Sequence, residues 1–399
     1  METAENKQQN YKQTSIGLIP KDWKVKRLGE VSNVIMGQSP ESKNYFNFEI
    51  GLPLLQGNAD IKERKSIKRI WTNQITKICE ENDIVMSVRA PVGTIAKATY
   101  KSCIGRGICS IQSNELIIKQ FLFIFLERCE PNWAKLSQGS TFESINSDDI
   151  KSLKIPLPPL PEQQKIAEIL SKFDEAINTT KQIVVELKVR NKGLYQNLFN
   201  GDFEEKHLFE IFERVTTKNT EQNQNVITIS AQRGFIKQTD YFNKKIASDT
   251  LDNYFLVEKG DFCYNKSYSN GYDWGAIKRL NDFEKAVVTT LYICFRLRDE
   301  KENSSDFFEF YFENGILNKG LSKVANEGGR AHGLLNVTAP DFFNIKIGVP
   351  TFEEQRNIAN ILNAAKLELT KYEEKLENLQ LQKKGLMQQL LTGKVRVKI

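Results

Sequence analysis

A catalytic or metal site draws on histidine, cysteine and paired carboxylates, and this chain of 399 residues is poor in the first two. It holds two histidines, His207 and His332, and six cysteines: Cys79, Cys103, Cys109, Cys129, Cys263 and Cys294. No two cysteines stand in a C-x-x-C pair, so the spacing predicts reduced, mostly buried thiols and no metal site. Gly315 and Gly320 have the spacing of a phosphate loop, but Leu321 stands where that loop requires lysine. Pro158-Pro159 is flanked by Leu157 and Leu160, without the Asn or Asp and the aromatic residue that an amino-methyltransferase needs. No set of nucleophile, base and orienting group emerges from this inventory. The expectation is a chain that binds and does not react, with no cofactor of its own.

The elements that would position binding groups are announced by a duplication. Ile155 to Gly201 reads IPLPPLPEQQKIAEILSKFDEAINTTKQIVVELKVRNKGLYQNLFNG, and Ile347 to Gly393 reads IGVPTFEEQRNIANILNAAKLELTKYEEKLENLQLQKKGLMQQLLTG, gapless at an offset of 192 (347 against 155). Each copy follows a longer, more divergent stretch, so the expected order is module, spacer, module, spacer. The boundaries read as a polar segment 1–20, a first module 21–155, a spacer helix 156–201, a second module 202–347, and a second spacer helix with a C-terminal tail 348–399.

Both spacers carry apolar positions stepping by four and three. One series is Ile166, Leu170, Phe173, Ile177, Thr180, Val184, Leu187, Asn191, Leu194, Leu198; the other is Ile358, Leu362, Ala365, Leu369, Tyr372, Leu376, Leu379, Lys383, Leu386, Leu390. A period of 3.5 held this long is a coiled-coil seam, and about forty residues make a helix of ~60 Å. Pro161 fits the first helical position of one, Thr351 and Glu354 a capping box on the other, and Gly201 and Gly393 the C-terminal caps. The obvious partner of each seam is the other copy. A pseudo-twofold axis makes the pair antiparallel, with Ile166 facing Leu390, Ile177 facing Leu379, Asn191 facing Ala365 and Lys383 facing Phe173. The polar Asn191 and Lys383 at matching seam positions serve register or leave solvent-exposed breaks. Gly193 and Gly385 lie inside their helices, each costing ~1 kcal/mol relative to Ala. They imply close packing by a neighbouring helix or a partner subunit, or a local kink.

The modules match in their strand-like runs. Residues 81–87 (ENDIVMS) correspond to 259–265 (KGDFCYN), 93–95 to 275–277, and 108–111 to 292–295. Short β-rich runs between Gly, Asn and Ser turns predict α+β modules, each ending on a loop: SQGSTFESIN at 137–146 and NEGGRAHGLLNV at 326–337.

The whole arrangement resembles the specificity subunit of type I restriction–modification enzymes. The W-K-V-K-R-L-G-E run at 23–30, the G-D-I-like Asn82-Asp83-Ile84, the G-S-T at Gly139 and above all P-L-P-P-L-P-E-Q-Q-K-I-A at 156–167 carry that resemblance, with P-T-F-E-E-Q-R-N-I-A at 350–359 a looser partner. It implies two pseudo-twofold-related target-recognition domains, each reading one half of a split site on double-stranded DNA, joined by two long helices in an antiparallel coiled coil that sets the gap. It also implies two methyltransferase subunits, which bring S-adenosylmethionine and flip an adenine, and motor–nuclease subunits, which bring ATP and Mg. Under that reading the expected DNA contacts are Ser87, Arg89, Arg106, Ser140 and Thr141 in the first module. In the second they are Arg233, Lys266, Tyr268, Asn270, Arg330 and His332, since Arg is the commonest bidentate reader of guanine. The alternatives are the specificity chain of a system with a fused methyltransferase–nuclease partner, and a coiled-coil adaptor between proteins.

Composition is compatible with these readings. A net charge of +6 permits a nucleic-acid partner without demanding one, and an apolar fraction of 40% is enough for folded cores. The basic stretch Lys62, Arg64, Lys65, Lys68, Arg69 reads equally as a solvated face or a phosphate-binding one. The polar N-terminus and the lack of an apolar run near ~20 residues predict a soluble, cytoplasmic protein without a membrane partner.

Overall fold

The computed structural model describes residues 10–137, 144–241, 251–325 and 335–399. The chain divides into two compact units, one of Met1–Lys181 with Glu374–Ile399, the other of Gln182–Glu373. Each unit therefore holds an α+β module and part of both long helices.

In the first unit a six-stranded sheet runs in the order Ser32–Met36, Ile108–Ser113, Ile84–Ser87, Ile95–Lys97, Lys65–Ser66, Ile61–Lys62, beside a five-stranded sheet. Side chains alternate across a strand. Ile84 and Met86 accordingly enter one apolar cluster with Phe121, Leu122 and Phe125 of the helix Lys119–Ser137, while Val85 joins Leu55, Ala96 and Ile104 on the other face. In the second unit Phe212–Val215, Ile293–Leu297, Phe262–Asn265 and Ala276–Arg279 pair in the same order as their counterparts, all antiparallel. There Phe262, Tyr264 and Phe295 pack on Phe307, Phe308 and Phe312 of the helix Ser305–Glu313.

The repeated acidic turn has one cause in both units. Asp83 accepts from the Glu80 amide at 2.9 Å, and Asp261 accepts from the Glu258 amide at 2.9 Å. The residue before each aspartate has left-handed backbone, Asn82 at φ 67 and Gly260 at φ 95. Gly and Asn are the residues that enter that region at least cost. Both turns leave the following strand buried and aimed at the loops described below.

The long helices are Leu160–Leu198 and Phe352–Leu390, 39 residues each. Thr351 and Glu354 form the expected capping box, with the Thr351 amide 2.9 Å from Glu354 Oε2. Pro161 falls on the second helical residue, not the first, where its missing N–H is equally harmless. Gly393 has the left-handed φ of 69 expected of a C-terminal cap. Gly201 does not; it makes room for the Phe203 ring, which would lie 2.3 Å from an added Cβ.

Within each unit the helices run antiparallel. In the first, Ile166, Ala167 and Leu170 share a cluster with Met387, Leu390 and Leu391, and Lys383 Nζ reaches Asp174 Oδ1 at 2.6 Å. In the second, Asn191 Nδ2 donates to the Ala365 carbonyl at 3.1 Å, and Lys188 and Arg190 pair with Glu373 and Glu368. Lys383 is 7% exposed and also meets Glu127 Oε2 at 2.9 Å, so it is a buried, doubly paired cation and not a solvated break in the seam. Burial, not the lysine, dominates Asp174, whose pKa is raised.

Removing one partner of a buried ion pair leaves an uncompensated charge, at a cost of about 3–5 kcal/mol. Lys383→Met is therefore expected to lower stability by about 3 kcal/mol, nearer the low end because Asp174 keeps 37% exposure. Lys188→Met, which breaks the exposed pair with Glu373, should cost under about 1 kcal/mol. Thermal unfolding of both variants checks this, and equal losses would contradict it.

Candidate nucleic-acid interface

In the first unit the antiparallel ladder of Ile84–Ser87 with Ile108–Ser113 ends at Ser87 opposite Ile108, and the Val88 amide then donates to the Gly107 carbonyl at 2.9 Å. One step further in that register stand Arg89 and Arg106, both exposed. Arg106 occupies the tip of a tight turn in which the Ile108 amide donates to the Gly105 carbonyl at 3.0 Å, and its own amide donates to Ser39 Oγ. Three chain segments crowd beneath it: an added Cβ on Gly107 would lie 2.0 Å from the Gln56 carbonyl oxygen, and one on Gly37 would lie 2.2 Å from that of Gly105. The turn can only be built with glycine. Arg89 bridges to Ser144, and the Ile145 amide donates to the Val88 carbonyl at 3.0 Å, so the end of the 137–146 loop is stitched to the same strand end. Ser140 and Thr141 lie outside the described residues.

Ser87 is fully buried. Its hydroxyl donates to the Pro91 carbonyl at 2.7 Å and accepts from the Thr94 amide at 3.0 Å. It shapes the turn that bears Arg89 and presents no atom outward.

The second unit repeats the plan. Lys266 follows the strand Phe262–Asn265, its carbonyl accepting from the Leu335 amide at 3.0 Å, so the end of the 326–337 loop joins here too. Its ammonium donates to the Val337 carbonyl at 3.3 Å, and burial lowers its pKa. The Tyr272 amide closes a turn on the Ser269 carbonyl at 2.8 Å with Gly271 at φ 82, putting Asn270 at the tip. Gln232 Nε2 donates to the Asn270 carbonyl at 3.1 Å, which brings the turn bearing Arg233 beside this loop. Tyr268 is 62% exposed, an aromatic face open to solvent. Arg330 and His332 lie outside the described residues.

Other basic residues are consumed internally. Arg64 pairs with Glu130 and Glu127, Arg69 with Asp60 and Lys68 with Glu49, so much of the 62–69 stretch is neutralised by its own chain. Lys278 pairs with Glu313, and Arg279 with Asp306 and Glu309. Arg89, Arg106 and Arg233, by contrast, have no side-chain partner among the described residues. All six thiols are buried, and burial pushes Cys79 and Cys109 up to about 12. Among the described residues no group of three or more His, Cys, Asp or Glu could hold a metal. His207 Nδ1 donates to the Asn344 carbonyl at 2.8 Å and the ring stacks on Phe209, a structural role.

Sequence reasoning missed the residues that fasten each module to its helix. Gln163 is fully buried; its Nε2 donates to the Pro158 carbonyl at 2.9 Å and its Oε1 accepts from the Ile118 amide at 2.8 Å, just before the helix Lys119–Ser137. Gln355, 1% exposed, does the same with the Pro350 carbonyl at 3.0 Å and the Ser304 amide at 2.8 Å. The signal was there: the same glutamine at the same place in both copies. Alanine at either position leaves a buried amide and a carbonyl unpaired, at about 1–3 kcal/mol each. Gln163→Ala and Gln355→Ala should each lower the unfolding midpoint and speed proteolysis in the affected unit alone; unchanged midpoints would mean water replaces the amide.

The sequence profile of the type I restriction modification DNA specificity domain matches twice, over residues 20–189 and 200–380. A chain named as the MjaX specificity subunit of a type I restriction enzyme, from Methanocaldococcus jannaschii, is 38% identical over 195 residues, 48% of this chain and 46% of that one. The MjaVIII specificity subunit of the same organism is 25% identical over 98% of this chain and 97% of its own length. In fold, the chain is similar to the crystal structure of a type I restriction–modification S subunit from M. genitalium, at TM-score 0.59, 18% identity, and 94% and 96% coverage.

Proposed function

The chain belongs to the family of type I restriction–modification DNA specificity proteins, and from that premise we propose that it reads a bipartite duplex site, one half with each module. The observation that carries this reading is that the family's domain occurs twice, and that the polar turn after each central strand exposes side chains, Arg89 in the first copy and Tyr268 and Asn270 in the second. It is a specificity subunit and not an enzyme. The paired helices set the distance between half-sites, as dimer geometry does elsewhere at about 34 Å per DNA turn. Methyltransferase and motor–nuclease subunits dock on the chain and bring S-adenosylmethionine, ATP and Mg; an adenine flipped from the duplex is the substrate of the former. No helix among the described residues is long and apolar enough to cross a membrane.

Arg89 and Arg106 supply guanidinium forks, which hydrogen-bond bidentately to guanine, and Tyr268 offers an aromatic face. The described ends of the 137–146 and 326–337 segments, at Ser144, Ile145 and Leu335, join the same strand ends. Ser87 braces the turn that bears Arg89, Lys266 joins the end of the second segment at Leu335 and Val337, and Asn270 stands exposed at its turn tip. Ser140, Thr141, Arg233, Arg330 and His332 complete the reading surface.

Modification-aware sequencing of cells expressing this chain with its neighbouring methyltransferase should show methyladenine in one bipartite motif that vanishes when this chain alone is deleted. A motif that survives the deletion would overturn the reading. Arg89→Ala and Arg106→Ala should each weaken duplex binding by about 1–3 kcal/mol and relax base preference in one half-site only. Equal weakening on all sequences, with the salt slope reduced by about 1, would identify the residue as a phosphate contact instead.

A further inference from the structure

The helix Ser305–Glu313 offers three carboxylates to the strand Ala276–Arg279 and the turn before it. Residues three and four apart share one helix face, so Asp306, Glu309 and Glu313 line up. Asp306 and Glu309 both pair with Arg279. Glu313 reaches further: its Oε2 pairs with Lys278, and its Oε1 accepts from the Tyr272 hydroxyl at 2.7 Å. Glu313 is also the last residue of its helix, where a negative charge opposes the helix dipole. For the helix alone a carboxylate is unfavourable there, and its two partners offset that.

Tyr272 belongs to the turn that presents Tyr268 and Asn270. Ser269 and Tyr272 bridge each other across the tip, so fixing Tyr272 fixes the tip. Lys278 holds the same ring: its ammonium lies 4.9 Å from the ring centre and donates to the phenol oxygen at 3.3 Å. Burial, and after it the Glu313 carboxylate, raise the Tyr272 pKa, which keeps the phenol a donor. The base of the turn is pinned by the fully buried Tyr264, whose hydroxyl donates to the Trp274 carbonyl at 2.7 Å. The first unit has a related device: Glu130 of the helix Lys119–Ser137 accepts at 2.7 Å from the amide of Ile95, where the strand beyond the Arg89 turn begins. A helix carboxylate thus fastens the strand beyond the turn in both units, and in the second it grips the turn itself.

We propose that Glu313 is a positioning residue for base readout: through Tyr272 it fixes the turn 269–272, and with it the direction in which Tyr268 and Asn270 meet one half-site. This rests on the reading of a bipartite duplex site given above. Glu313 acts through Tyr272 and touches no base. A contact discriminates between bases when its donor or stacking face is already in place, because a turn that must be ordered on binding loses affinity for the right sequence and accommodates wrong ones.

The test uses Tyr272→Phe and Glu313→Gln in the full chain, expressed with its neighbouring methyltransferase and read by modification-aware sequencing. Tyr272→Phe removes one hydroxyl and keeps the ring beside Lys278; Glu313→Gln keeps the shape and removes the charge. Both variants should relax the same half of the motif and leave the other half unchanged, with discrimination against single-base changes in the relaxed half falling roughly tenfold. The double variant should relax it no further than the stronger single one, because both substitutions open one clamp. If Glu313→Gln does not accumulate because Lys278 has lost its charge partner, Tyr272→Phe, which leaves that pair intact, decides the matter alone. A merely structural role gives a different pattern, a lower unfolding midpoint and less methylation with both halves of the motif intact. That pattern, an unchanged motif, or equal relaxation of both halves would overturn the positioning role while leaving the specificity reading standing. An unaltered chain that gives no chain-dependent motif would overturn both.

Discussion

Neither long helix can bury its apolar seam without the other, and that requirement organises the rest of the chain. In each unit the opening of one helix lies along the end of the other, so residues far apart in sequence complete one core: Ile166 and Leu170 with Leu390 in the first unit. Polar seam positions then select the register. Asn191 donates to the Ala365 carbonyl, and Lys383 is enclosed between Glu127 and Asp174. A one-residue slip would strand that cation in apolar surroundings, which is far costlier than misplacing a leucine.

The modules are fastened to this frame by small polar devices repeated in both units. Glutamine amides at 163 and 355 tie the start of each long helix to the segment before a helix of its module, at Ile118 and Ser304. Glu30 and Glu210 accept from the amides of Arg27 and His207 and so start the short helices after the first strand of each. Adjacent to the first of these, Trp23 Nε1 donates to the buried Glu162, which also receives Arg396 from the C-terminal tail. The aspartate turns at 83 and 261 then aim one buried strand per module outward. What varies between the modules is the loop hung on that strand.

The charge pattern follows from the same division. A net +6 is spread over 56 basic and 50 acidic residues, so overall charge says little about where an anion would bind. Placement decides it: Arg64, Arg279 and Arg296 are held by carboxylates inside their own units, whereas Arg89, Arg106 and Arg233 are exposed and have no side-chain partner among the described residues. A guanidinium without a carboxylate partner has hydrogen-bonding capacity to offer a ligand.

Periodicity and turn chemistry are local, and they were legible in the residues alone: the duplicated spacers, their seams and antiparallel pairing, the matched strands, the capping box at Thr351, the left-handed Gly393. The sites on Arg89 and Arg106 were legible as residue types, but their meeting at one strand end depends on the register of two strands. That register is set by side chains buried on both faces of the sheet. Ser87, expected as a DNA contact, is buried and braces its own turn, because burial is not written in a residue's identity. Lys383 found its carboxylate partner at Glu127, 256 residues away, and the 62–69 basic stretch found its own neutralising acids. Pairings of that kind are decided only when the chain closes on itself. Charge partners are chosen by proximity in space, and sequence encodes such proximity only through the whole fold.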